Sequence, residues 1–410
     1  MNVKRVNKQS LMRTAEQVFS KGLVAALAEK GLDVLEGERA GVILCDTDGK
    51  SYIDCYTSAG IYNLGRNNEE LRSELEASVR KVDQGNFIML SEEKALLGQK
   101  LARFVPGNLE SVLYTVVRGE PVDAACKLAR GHTGRPELVT VDGGWYGQTG
   151  FAVTLSERTG KGMFGALIPA VATVPFGDIG AMKRAVSRKT AAVIMEPVQA
   201  ENGCRRAGAE YYRELRRICD RKGAFLIFDE TQTGFGRTGK KFAYEHYDIV
   251  PDILILGEAM SGGVFPMTAL MFTIKTRKFF DAHPLIHMCT FGGHDIGCRV
   301  AMKALDLYEE TKPWESAVLM GEKLHAALSG IAAGTHGKVS VSGIGLLQAL
   351  LFRDDATAAR FCREARKIGL LAVQGEVAAN SVVFRPSLTI DIDGIAEIEL
   401  RVRRAMAKVL

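Results

Sequence analysis

Between residues 112 and 273 the chain repeats one pattern seven times. A short, mostly apolar run is followed by a longer polar or helical stretch. The runs fall at 112–117, 138–141, 171–174, 191–195, 224–228, 253–256 and 268–273. Strands buried on both faces read as continuous apolar runs rather than as alternating ones, and parallel strands need helical crossovers between them. The pattern therefore predicts an α/β fold with a seven-stranded, mostly parallel sheet. The clearest crossover helix is expected over 208–222, with Tyr211, Leu215 and Ile218 on one face and Gly223 at its end.

The flanking regions have a different texture. Helical spacing covers 11–30, and Asp48-Gly49 between two apolar runs signals a hairpin. A helical pattern covers about 68–103. After residue 295 one long amphipathic helix is expected to about 330, then short strands at 339–341, 346–352 and 382–384, then a helix near 393–409. The expected organisation is an N-terminal segment, 1–65, that is part of a small domain; a large α/β domain, 66–295; and a smaller C-terminal α+β domain, 296–410.

Other classes are set aside on composition. At 47% hydrophobic residues the chain buries too much to stay disordered. No run reaches the roughly 18 apolar residues of a membrane span, so no membrane partner is expected. The net charge of +5 is spread along the chain, whereas a nucleic-acid surface needs a basic stripe, so no nucleic-acid partner is expected either. The eight cysteines form no CxxC pair and none stands at zinc-ligand spacing to a histidine. They read as reduced thiols of a cytoplasmic protein, with no metal site. The N-terminal residues scatter polar groups where a signal peptide needs an apolar block.

The stretch GFGRTG at 234–239 matches the dinucleotide fingerprint and, with Lys240, a phosphate-binding loop. Lys241 stands where the latter needs Ser or Thr, and no helix starts inside the glycines, so a structural loop is expected.

The longer stretch LIFDETQTGFGRTGK at 226–240 resembles the class III aminotransferases, enzymes of pyridoxal 5'-phosphate (PLP) fold type I. Matches continue in order: DTDGKSYID at 46–54, NLG at 63–65, EPVQ at 196–199 with Gly203, VPDILILG at 250–257, TFGG at 290–293 and PSLTI at 386–390. The resemblance implies a large domain with the seven-stranded sheet plus a smaller α+β domain, usually in a homodimer. PLP draws electrons through a protonated pyridine ring and needs a carboxylate opposite the ring nitrogen. The resemblance gives that role to Asp229. It places Gln232 near the ring's phenolic oxygen, Trp145 on the ring face, and Thr290 as a phosphate ligand reaching over from a partner subunit.

The departures all concern one cavity. Where the family has the lysine that forms the Schiff base, this chain has Glu258, and a carboxylate cannot form an imine. The family's small residues in the phosphate cup become Val117, Arg118 and Gly119, with only Glu120 retained. Tyr146 stands where His is common. Val383 takes the place of a substrate-carboxylate arginine, for which Arg385, two places on, is a candidate. A buried charge needs a partner, so Arg118 and Glu258 are expected to pair, directly or through an anion or water.

These features imply a repurposed PLP-type cavity with Glu258 as the catalytic acid or base. Its ligand is a small amino or keto metabolite. PLP or pyridoxamine phosphate binds non-covalently if at all. Two alternatives stay open: a non-catalytic scaffold partner and a conventional aminotransferase.

Overall fold

The computed structural model describes residues 8–86, 88–157 and 159–410. Residues 1–7 of the N-terminal stretch and of the 1–65 segment lie outside them. The region read as helical at 11–30 forms two helices, Lys8–Val18 and Lys21–Glu29, because the Ser20 side chain accepts from the Leu23 N–H and starts a new helix. Strands β1 (Glu36–Ala40), β2 (Ile43–Asp46) and β3 (Ser51–Asp54) follow, with β2 and β3 joined at the expected Asp48-Gly49 turn.

The pattern over 68–103 is also two helices, Glu69–Val79 and Glu92–Phe104. Gly85 at φ +70° turns the chain between them and the Ser91 hydroxyl caps the second.

Seven strands come next: β4 (Ser111–Thr115), β5 (Glu137–Val141), β6 (Val171–Val174), β7 (Thr190–Met195), β8 (Phe225–Asp229), β9 (Ile253–Leu256) and β10 (Thr268–Phe272). They are the seven apolar runs. Their order is β4-β10-β9-β8-β7-β5-β6, with β10 antiparallel to both neighbours and the other pairings parallel. Both faces are covered. Leu226, Phe228, Leu254 and Leu256 pack into one apolar core, and Phe225, Ile227, Ile253 and Ile255 into another.

The helix expected near 295–330 is two, Asp295–Thr311 and Pro313–Ala333. Lys312 takes a left-handed conformation at φ +45° and Pro313 cannot continue a helix, so the break is local and sharp. The remaining strands are β11 (Val339–Ile344), β12 (Leu347–Phe352), β13 (Leu370–Leu371), β14 (Val373–Gln374) and β15 (Ser381–Phe384), and a final helix spans Ile392–Val409. β11-β12-β15-β14 form an antiparallel sheet. β13 lies parallel to β3, and Ile53 and Cys55 share a core with C-terminal residues such as Leu350 and Val402.

The GFGRTG stretch is a loop that ties these parts together. Arg237 is buried, donating to Asn63 Oδ1 at 2.6 Å and to the Leu346 carbonyl at 2.9 Å. All eight cysteines are free thiols. Among the described residues no helix is long and apolar enough to cross a membrane, and no cluster of His, Cys, Asp and Glu is placed to hold a metal.

Candidate active site

In an open parallel sheet, ligands gather outside the carboxyl ends of the strands. Here β7 ends into Glu196, β8 ends on Asp229, and β9 runs through Gly257 into Glu258. The segment after β4 delivers Arg118 and Gly119 to the start of the helix Glu120–Thr133. Two glycines make this convergence possible. Gly119 stands at φ +106°, and a Cβ there would lie 2.9 Å from Thr149 Oγ1. Gly257 lies so close to Thr231 that a Cβ would be 2.5 Å from its carbonyl oxygen. A side chain at either position would push Arg118 or Glu258 out of place.

Beside these strand ends is a cavity of about 480 Å³ lined by, among others, Arg118, Trp145, Gln232, Glu258 and Arg385. Five of the nine residues singled out from the sequence therefore share one wall. Asp229 lies directly behind Arg118, fully buried. Gly119 sets the turn beside it. Thr290 does not reach this cavity; it lies in a separate hollow with Val117 and Cys289. Tyr146 does not line this cavity. It is buried in the core, its hydroxyl 3.0 Å from Thr140 Oγ1 and its backbone N–H donating to Ser156 Oγ.

Arg118 and Glu258 do not form a direct side-chain pair. Glu258 Oε1 accepts the backbone N–H of Arg118 at 3.0 Å. The Arg118 guanidinium turns inward. Its Nη2 donates to Glu196 Oε1 at 3.1 Å and to the Trp145 carbonyl, and lies 3.5 Å from Asp229 Oδ2. Glu196 and Asp229 are the more deeply buried carboxylates and need a cation most, whereas Glu258 is only half-buried and keeps access to water. Asp229 Oδ1 accepts the Thr231 N–H at 2.9 Å, but Oδ2 receives no hydrogen bond from a described residue.

One guanidinium thus faces two buried carboxylates. Asp229 and Glu196 hold Arg118 firmly in its charged form against the cost of burial. Burial pushes Glu196 up to about 8; Arg118 pulls it down, and the neighbouring Asp229 raises it further. The Arg118 guanidinium therefore stands between Asp229 and a Glu196 carboxyl that burial holds well above the ordinary carboxylate range.

A second network closes the other side. Arg385 is buried and donates to Glu201 Oε1 at 2.6 Å and to Gln232 Oε1, while Gln232 Nε2 donates to the same Glu201 oxygen at 3.1 Å. Burial works against the Glu201 charge, but Arg385 and its hydrogen bonds pull the group below the usual carboxylate range. At the mouth, Lys30 pairs with Glu376 at 3.1 Å. Sequence reasoning assigned no role to Glu196, Glu201, Lys30 or Glu376. Glu196 carried a visible signal, since like Asp229 it is an acid at the carboxyl end of an apolar run. The other three depend on chain packing.

Asp229 Oδ2, which accepts no hydrogen bond from a described residue, is a place where the ring N–H of PLP could donate. However, the Arg118 guanidinium stands in front of it. Two of the backbone donors before the helix Glu120–Thr133 are also taken: Arg118 N–H by Glu258, and Val116 N–H by Glu120 Oε2 at 2.8 Å. Lys30 is the one lysine lining the cavity among the described residues, and it is held by Glu376. As arranged, the site does not fit the cofactor.

A family profile described as aminotransferase class-III matches residues 26–406. An uncharacterized aminotransferase of Archaeoglobus fulgidus is 40% identical over 298 residues, 73% of this chain and 70% of that protein. A putrescine aminotransferase of Pectobacterium atrosepticum is 34% identical over 367 residues, covering 87% of this chain and 78% of that protein. In structure, the ornithine aminotransferase of Toxoplasma gondii, described with partial occupancy of PLP at its active site, superposes with a TM-score of 0.92 at 22% identity, covering 99% of this chain and 96% of that one. The fold is that of the PLP-dependent transferases of fold type I.

Proposed function

We propose that this chain, which belongs to the class III aminotransferase family, does not perform lysine-anchored transamination. It holds a small amino or keto metabolite without a covalent bond and uses Glu258 as an acid–base group. The observation that carries this reading is the Glu258 carboxylate on the cavity wall, at the position the family resemblance gives to the lysine. Its Oε1 is fixed by the Arg118 N–H, and no described residue donates to its other oxygen. A carboxylate so held can move a proton but cannot form an imine. No step is assigned to PLP, because the Arg118 guanidinium stands before Asp229 and Glu258 takes the Arg118 N–H.

The cavity's charges favour a ligand that is small and polar. Glu201 and Arg385, and Lys30 and Glu376, offer both signs within one wall. An amine or amino acid, or the matching keto compound, suits that lining, and the likeness to a putrescine aminotransferase supports the same class. Thr290 and Val117, both exposed in a hollow beside the site, suit a homodimer in which a second copy covers that face.

Proton exchange tests the reading. Amino acids and 2-oxo acids are incubated with the protein in deuterated water, and loss of the carbon-bound proton next to the carbonyl is followed by NMR. The wild type should exchange at least one of them, and Glu258→Gln should slow that exchange by about 100-fold or more. Absence of exchange across the set would favour a non-catalytic scaffold. Amino transfer from putrescine or another amine to a 2-oxo acid would instead make it a conventional aminotransferase.

A further inference from the structure

We propose that Arg118 and Glu258 supply, from within the chain, the two charges that PLP brings to a site of this fold, and that Arg118 bars the pyridoxal ring. The inference deepens the reading above and rests on the absence of an anchoring lysine. In such a site a ring cation meets the buried aspartate, and a phosphate anion meets the backbone N–H groups at a helix start. Both meetings occur here with the chain's own groups. The cation at Asp229 is the Arg118 guanidinium, 3.5 Å from Oδ2 and 3.1 Å from Glu196 Oε1. The anion at the helix start is the Glu258 carboxylate, 3.0 Å from the Arg118 N–H, with Glu120 on the Val116 N–H.

The two substitutions depend on each other. Glu258 holds the backbone of the residue whose side chain fills the ring position. Gly119, which no other residue could replace at its φ without meeting Thr149, aims that side chain inward. The guanidinium donates to the Trp145 carbonyl as well, so it is bound at three points rather than lying loosely in an empty space. A ring could enter only by displacing a cation from buried Asp229 and the Glu196 carboxyl. The one feature still open to a ring is Asp229 Oδ2, which Arg118 approaches without a hydrogen bond. Truncating Arg118 would therefore leave buried Asp229 without its cation, and a protonated pyridine is one.

Equilibrium dialysis of the full-length protein against PLP and pyridoxamine phosphate tests this. Arg118→Ala should bind either compound at least tenfold more tightly than the wild type, and Arg118→Lys, which keeps a cation, should stay as weak as the wild type. Should Arg118→Ala not fold, Arg118→Ala combined with Glu196→Gln removes one buried ionisable group and is measured in its place. Wild-type affinity equal to or tighter than that of the truncated variant would overturn the proposal, since Arg118 would then be no obstacle. Pyridoxamine phosphate has no aldehyde, so its binding reads exclusion of the ring separately from whether any lysine anchors PLP.

Discussion

Glu196→Gln isolates the charge imbalance at the heart of the cavity. Glu196 is buried, and burial raises its carboxyl to about 8 in the folded protein, against 4.5 as its ordinary value. The sign follows from which state holds the proton. The folded chain keeps it up to about pH 8, while the unfolded chain releases it near its ordinary value. Stability from this group is complete below the unfolded value and is lost as pH rises through 8. Each pH unit over which the two states differ by one proton changes stability by about 1.4 kcal/mol, so the loss between pH 6 and pH 8 is about 2 kcal/mol. For a chain of this length that is about 2–3 °C in Tm. The amide cannot ionise, so this slope should vanish in the variant. It also lacks one of the two acceptors that serve Arg118 and the Trp145 N–H, a loss of about 1 kcal/mol that does not vary with pH. The diagnostic is therefore the difference between the two stability curves, from urea melts across pH 6 to 8. A difference that shrinks or reverses with rising pH supports the account. Parallel curves would show that Glu196 is already ionised and that Arg118 neutralises both carboxylates.

Three further outcomes are expected. Glu258→Lys alone should not restore transamination with common amine and keto-acid pairs, because Arg118 still occupies the ring position; robust turnover by the single variant would show that position to be free. Arg118→Met should destabilise the fold by about 3–5 kcal/mol by stranding buried Asp229, and adding Asp229→Asn should cost much less than the sum of the two single changes, so strict additivity in a double-mutant cycle would deny the pairing. Gly119→Ala should destabilise by about 1–3 kcal/mol through its positive φ and the approach to Thr149, and an unchanged melting curve would mean that the turn relaxes easily.

Much of the fold was legible because strands buried on both faces leave unbroken apolar runs. β4 to β10 each coincide with one of them. The helix breaks were harder to see. A periodic pattern can continue across a change of direction, as it does over Gly85 and over Lys312-Pro313, although Pro313 was a visible warning. At the site, the sequence located Arg118 and Glu258 in one cavity through the order of their neighbours. It could not tell which way a long side chain turns. Arg118 chose the two buried acids over half-buried Glu258, a preference set by desolvation in three dimensions. The same limit explains Tyr146, whose position beside Trp145 says nothing of its hydroxyl pointing to Thr140. It also explains Arg385, which spends its charge on Glu201, a partner 184 residues away in sequence.

The central claim is that no lysine of this chain anchors PLP. Its most direct measurement is to incubate the purified protein with PLP, reduce with borohydride, digest and map the peptides by mass spectrometry. The account predicts no stoichiometric pyridoxyl-lysine, Lys30 at the cavity mouth included. A stoichiometric adduct on any lysine would contradict it.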